Sequence, residues 1–223
     1  MVKSERKPLE EIRASIKGYR RILNIGCGGC SSVCLAGGQR EVNTLNFELN
    51  AFFKSAGTDS RVDGTTIERQ CNRQYFHELY EMAAGYDCLL SMACGAGVQL
   101  VAETFPDIPV FPALNTVSIG IDREVGVFEE RCRACGQCVL AYTGGICPVT
   151  CCAKSLFNGP CGGTDKGMCE IGDDTPCAWY NIYERLKGQH RLDDILKIRP
   201  PMAWRNQVLR VTVQAPYARK HRK

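Results

Sequence analysis

Ile22-Leu23-Asn24-Ile25-Gly26-Cys27-Gly28-Gly29-Cys30 is a short apolar run that breaks into a turn of glycine and cysteine. A brief apolar run stopped by glycine predicts a buried strand that hands its last residues to a loop. The pattern extends in both directions. Before it, Leu9, Ile12, Ile16 and Tyr19 fall at helical spacing behind Pro8, with Glu10 and Glu11 in the first turn. After it, residues 31–54 predict a helix with Leu45, Phe47, Leu49 and Phe52 among its apolar positions. A second strand is expected within 61–69 and a helix over 73–84. Asp87-Cys88-Leu89-Leu90-Ser91-Met92 reads as a third strand, leading into Ala93-Cys94-Gly95-Ala96-Gly97 and a helix through Thr104. Residues 109–113 give a fourth strand. Strands alternating with helices predict an α/β fold, a mainly parallel sheet with flanking helices on both faces.

Cysteine usage changes near residue 117. Six cysteines precede that point, whereas Cys132 to Cys177 hold nine. The segments between the later cysteines are short and rich in glycine, with too few apolar side chains for a core of their own, so bound metal is expected to hold them. Helix returns around residues 178–187, where Trp179, Ile182 and Leu186 form an apolar stripe, and the last 25 residues, with Pro200, Pro201 and Trp204, read as extended. The expected organisation is an α/β domain over 1–117, a cysteine-rich, ferredoxin-like metal-bound region over 118–190, and an extended basic tail over 191–223.

Fifteen cysteines in 223 residues fit either a secreted disulfide framework or a metal protein of a reducing compartment. The opening Met1-Val2-Lys3-Ser4-Glu5-Arg6-Lys7-Pro8 lacks the apolar core of a signal peptide, no apolar run reaches the length of a membrane span, and an odd cysteine count suits disulfides poorly. Metal ligation in the cytoplasm is the expectation. The formal charge of +4 gathers at the ends: residues 1–21 and Arg219-Lys220-His221-Arg222-Lys223 each carry +4 and leave the middle at −4. These basic ends suit an acidic partner such as a ferredoxin, or are simply a solvated helix face and a frayed terminus. No aromatic residues are interleaved with them, which argues against nucleic-acid binding.

In an open parallel sheet the carboxyl ends of the strands share one edge, where ligands collect. Cys27 and Cys30 follow the first strand, Cys71 the second and Cys94 the third, so four thiolates distant in sequence are expected to converge there. Such a set suits zinc or a [4Fe–4S] cluster. Cys34, one turn beyond Cys30, is a spare, and Cys88 reads as a small apolar strand residue. Gly26-Cys27-Gly28-Gly29-Cys30 lacks both G-x-G-x-x-G and the Walker lysine, which disfavours nucleotide binding.

Downstream, Cys132-x2-Cys135-x2-Cys138 followed by Cys147-Pro148 approximates the ferredoxin run C-x2-C-x2-C…C-P, although eight residues separate the last two cysteines where that run has three. Cys151, Cys152, Cys161, Cys169 and Cys177 come after it. Setting aside one of the adjacent pair Cys151 and Cys152 leaves eight thiolates, enough for two four-ligand sites. Iron–sulfur clusters are favoured, with structural zinc open at one site because the spacings overlap. His77, His190 and His221 are scattered, and nothing suggests a hydrolytic triad.

These residues resemble a known family. Ile25-Gly26-Cys27-Gly28-Gly29-Cys30, Arg69-Gln70-Cys71, Ala93-Cys94-Gly95-Ala96-Gly97, Pro112-Ala113-Leu114-Asn115-Thr116, Thr143-Gly144-Gly145-Ile146-Cys147-Pro148, Lys154 to Gly163 and Cys177 to Leu186 are similar to the MetV-type subunit of bacterial methylenetetrahydrofolate reductases. In larger reductases its equivalent is a C-terminal cysteine-rich domain. The resemblance runs over about residues 8–205. It implies an iron–sulfur electron-transfer subunit, itself non-catalytic, with two to three [4Fe–4S] clusters. It also implies a MetF-type flavoprotein partner that carries FMN or FAD and reduces 5,10-methylenetetrahydrofolate to 5-methyltetrahydrofolate. The donor would be a ferredoxin or an NADH-oxidising subunit. Carried over residue by residue, Cys27, Cys30, Cys71 and Cys94 form one site, and Cys132, Cys135, Cys138, Cys147, Cys152, Cys161, Cys169 and Cys177 serve the rest, with Cys151 a non-ligand. The rival expectation is an adaptor whose metals only brace a docking surface. Backbone N–H groups of the glycine-rich turns are expected to aim at the sulfurs and tune their potential.

Overall fold

The computed structural model describes residues 1–203, 211–214 and 216–217. Trp204 and the basic tail Arg219 to Lys223 lie outside them. The chain divides into two compact units, Met1–Glu129 and Glu130–Lys223.

The first unit holds β1 (Val2–Arg6), α1 (Leu9–Ser15), β2 (Arg21–Cys27), α2 (Cys30–Val33), α3 (Gln39–Ser55), β3 (Arg61–Ile67), α4 (His77–Ala83), β4 (Cys88–Met92), α5 (Gly95–Thr104), β5 (Val110–Pro112) and β6 (Leu114–Glu124). Strand β7 (Val127–Cys132) leads on towards the second unit. The expected parallel sheet is present in the order β3-β2-β4-β5, every pairing parallel. All five residues of β4 are buried, as a strand covered on both faces requires. Successive residues of one strand feed opposite cores. Cys88, Leu90 and Met92 join Ile12, Ile16, Val42, Leu45 and Leu49 on one face, while Leu89 joins Leu23, Ile25, Phe76, Leu79 and Val101 on the other.

Three features depart from the sequence reading. The helix expected over 31–54 is two helices. Between them the chain dips under the sheet edge, where the carbonyl of Gly37 accepts the N–H of Cys27 at 2.8 Å. A Cβ on Gly37 would run into the Met92 carbonyl and the Ser31 side chain, so no straight helix passes this point. Helix α3 restarts with the Glu41 carboxylate accepting the Gly38 N–H at 3.0 Å, one half of a capping box. The helix expected over 73–84 opens as a single 3-10 turn, Arg73–Tyr75, where the Asn72 side chain accepts the Gln74 N–H at 3.0 Å. Finally, the basic N-terminus is not a helix face throughout. Residues 2–6 form β1, which pairs antiparallel with β6 in a second sheet ordered β1-β6-β7.

The second unit is sparse in regular structure: α6 (Pro148–Cys151), β8 (Thr164–Asp165), β9 (Met168–Cys169), β10 (Gly172–Pro176) and α7 (Ala178–Gly188). Its three strands make a small antiparallel sheet in the order β10-β9-β8. The predicted stripe of α7 is its core, Trp179, Ile182 and Leu186, against which Cys152, Cys177, Ile146 and Ile195 pack. The Trp179 indole N–H donates to the Leu156 carbonyl at 2.6 Å and pins the loop ahead of the glycine-rich turn. Among the described residues no helix is long and apolar enough to cross a membrane.

Candidate metal centres

All 15 cysteines stand as free thiols. Three of those in the first unit, Cys27, Cys71 and Cys94, gather where the topology predicts. The chain leaves β2 for β3 on one side and later places β4 on the other, so the carboxyl end of β2 lies at the switch point of the sheet. Cys27 is the last residue of β2, Cys71 follows β3, and Cys94 follows β4 and caps α5. The charges of Cys94 and Cys71 both act on the Cys27 thiol, so the three sulfurs share one electrostatic neighbourhood. Burial pushes the Cys27 thiol up, and its neighbours push in the same direction; backbone N–H groups of Gln70 and Gly29 oppose them by favouring the thiolate. Cys30 opens α2 three residues on and is half-buried.

The other two cysteines of this unit turn away. Cys34 is buried in the core and its Sγ meets the Val2 carbonyl at 3.4 Å. Cys88 is fully buried, and that burial raises its thiol to about 12, so it stays protonated as a small apolar group.

In the second unit Cys152, Cys161, Cys169 and Cys177 line one cavity, closed by Lys154, Gly162, Gly163 and Trp179. Four different local structures deliver them: Cys152 follows α6 as its C-cap, Cys161 sits in the glycine-rich turn, Cys169 ends β9 and Cys177 caps α7. The N–H of Gly163 and the ammonium of Lys154, whose Nζ lies 3.6 Å from the sulfur, pull the Cys161 thiol below its ordinary range. Lys154 is itself held by an ion pair to Glu170. Cys151, next in sequence to Cys152, faces a different cleft, lined by Ile146, Tyr180, Asn181 and Arg185.

Cys132 is the last residue of β7, and Cys135 and Cys138 occupy the loop that follows it. There Ala134 and Gly136 adopt left-handed backbone conformations, and the Ala134 N–H reaches the Cys132 sulfur at 3.3 Å. Cys147 caps α6, with Pro148 as that helix's first residue. Among the described residues no group of three His, Cys, Asp or Glu side chains is drawn together tightly enough for a single metal ion.

Residues 111–205 match a protein-family model. Its description is Methylene-tetrahydrofolate reductase C terminal. The match supports the resemblance to MetV-type subunits, and it takes in the whole cysteine-dense segment from Cys132 to Cys177 together with β6, β7 and α7. The six upstream cysteines lie before the matched segment. No curated protein and no solved structure matches the chain.

Two residues near the sulfurs carried no role in the sequence. Gln70 entered only as the middle of Arg69-Gln70-Cys71, and Lys154 only as the start of the stretch that ends in the glycine-rich turn. The only sequence signal for either was adjacency to a cysteine motif, because what places each of them is tertiary contact.

Proposed function

We propose that this chain is the iron–sulfur electron-transfer subunit of a methylenetetrahydrofolate reductase, serving the flavin of a MetF-type partner that reduces 5,10-methylenetetrahydrofolate to 5-methyltetrahydrofolate. The observation that carries this reading is the convergence of Cys152, Cys161, Cys169 and Cys177 on one cavity, within a segment that matches a reductase C-terminal family. On this reading the eight downstream candidates form two sets, with Cys132, Cys135, Cys138 and Cys147 as the second. Cys27, Cys30, Cys71 and Cys94 are the ligands of a third.

The donor set suits the cofactor. Four soft thiolates are what a [4Fe–4S] core takes. A single zinc needs its sulfurs about 2.3 Å from one point. A cluster, in which each iron takes its own thiolate, asks only that the sulfurs surround a common space. When bound, such a cluster supplies one-electron transfer. The protein's part is to hold the thiolates and to aim dipoles at them: the N–H groups of Gln70 and Gly29 at Cys27, and the N–H of Gly163 with the Lys154 ammonium at Cys161. Each stabilises added negative charge and so favours the reduced state.

The test is metal and sulfide analysis of the chain isolated without air, with visible and EPR spectra before and after dithionite. Iron with acid-labile sulfide and a dithionite-induced EPR signal is expected. Electron delivery is tested by adding the flavoprotein partner and a reduced ferredoxin, and flavin reduction should require this chain. The small apolar core of the second unit favours one other reading, an adaptor braced by metal. Zinc without iron would establish it and end the electron-transfer proposal.

A further inference from the structure

Gln70 is fully buried, and its side-chain amide ties the ends of β2 and β4 together at the switch point. Its amide donates to the carbonyls of Ile25 at 2.7 Å and Gly26 at 3.1 Å, and accepts from the Ser91 hydroxyl at 2.6 Å. Each anchor stands just ahead of a cysteine in the chain. Gly26 precedes Cys27, Gln70 precedes Cys71, and Ser91 lies three residues before Cys94. The Gln70 backbone N–H also favours the Cys27 thiolate. Helix α5 is drawn in as well. A Cβ on Gly97 would meet the Cβ atoms of Ala93 and Gln70 at 2.8 and 2.9 Å, so the helix that Cys94 caps packs directly on this residue.

A buried amide is costly to place unless its partners are met, and a polar network satisfied in this way holds its members in one arrangement. A core needing only volume here would use an apolar side chain. An amide with donor and acceptor both engaged fixes register between two strand ends, and those ends carry the sulfurs.

We propose that Gln70 is the positioning residue of the upstream thiolate site, locking Cys27, Cys71 and Cys94 relative to one another and thereby setting the reduction equilibrium of the centre they hold. This inference rests on the function proposed above. Loss of the amide lets the Gln70 N–H drift from the Cys27 sulfur, which removes stabilisation from the more negative, reduced state and lowers the potential.

The experiment compares full-length wild type, Gln70→Met and Ser91→Ala, each isolated without air and followed by EPR-monitored redox titration with iron analysis. Cys71→Ser identifies the upstream signal as the one it abolishes. Gln70→Met should keep its fold by circular dichroism. Its upstream signal should have altered g-values, and its reduction equilibrium should be about tenfold less favourable, or its affinity for iron weaker by a similar factor. Ser91→Ala should move the same signal in the same direction by less, and the downstream signals should not move in either variant. A folded Gln70→Met with upstream g-values, potential and iron content equal to wild type overturns the inference. If Gln70→Met does not fold, Ser91→Ala decides, and an unshifted upstream signal there overturns it. A wild-type chain without reducible iron sinks the proposed function and this inference together, whereas loaded wild type beside indifferent variants sinks the inference alone.

Discussion

Gly37 shows how a single residue shapes the upstream site. Its carbonyl receives the Cys27 N–H, and the space where a side chain would sit is taken by the Met92 carbonyl and Ser31. Gly37→Ala should therefore destabilise the chain by about 3 kcal/mol, the upper range for overpacking, because backbone on a central strand cannot step aside. Urea unfolding of the metal-loaded chain measures it, and a loss under about 0.5 kcal/mol, the level of an ordinary surface change, would contradict the close approach. The two β4-linked cysteines make a second residue-scale contrast. Cys88 is an apolar strand residue, whereas Cys94 stands at the strand's carboxyl end beside Cys27. Cys88→Ser buries a hydroxyl and should lower stability by about 1–3 kcal/mol with iron content unchanged. Cys94→Ser should instead lose the iron of one centre. Iron per chain in the two variants separates the roles, and equal losses would remove the distinction drawn between them.

At the scale of elements, Asp87 organises the amino ends of the central strands. Its carboxylate accepts the N–H groups of Arg21 at 2.8 Å and Arg20 at 3.2 Å and pairs with the Arg21 guanidinium at 3.0 Å. The backbone N–H of Arg21 is the largest influence, followed by its side chain, and together they hold the Asp87 carboxyl below its ordinary 3.8. A depressed folded pKa contributes stability above the ordinary value and loses it as pH falls through the folded one. Wild type should thus lose more stability than Asp87→Asn between about pH 5 and about pH 2.5, with the two curves converging at the acid end. Denaturant titrations across that range check it, and parallel curves would show that the pairing contributes nothing. The elements differ in how far the sequence announced them. Strands β2 and β4 were legible because a strand buried on both faces must be apolar throughout, and α7 because its stripe has a helical period. The break between α2 and α3 was missed although Gly37-Gly38 is a turn signal inside 31–54; what requires the glycine, its approach to Met92, is a tertiary contact. Strand β1 was hidden for another reason: Val2-Lys3-Ser4-Glu5-Arg6 has no strand composition, and its pairing with β6 forms it. The sites followed the same logic. Cys27, Cys71 and Cys94 could be placed together from strand ends alone, whereas the separation of Cys152 from Cys151 depends on how α6 ends against α7, which spacing does not encode.

Across the whole molecule the two units stand on different physical footings. Among the described residues the first unit's two clusters bury fifteen and eight side chains, and the second unit's cluster buries three. A core this small gives the glycine-rich segments of the second unit little apolar support, and on the proposed function bound metal supplies what is missing by binding the folded form and not the unfolded one, as in small metal modules. Stripping the metal by mild oxidation and chelation should therefore collapse hydrogen-exchange protection across Glu130 and beyond, α7 included, while β2, β3 and β4 keep theirs. Restoring iron and sulfide should bring the protection back. If the stripped second unit stayed protected, its fold would not depend on metal, and a centre at the cavity ringed by Cys152, Cys161, Cys169 and Cys177 would have no structural role.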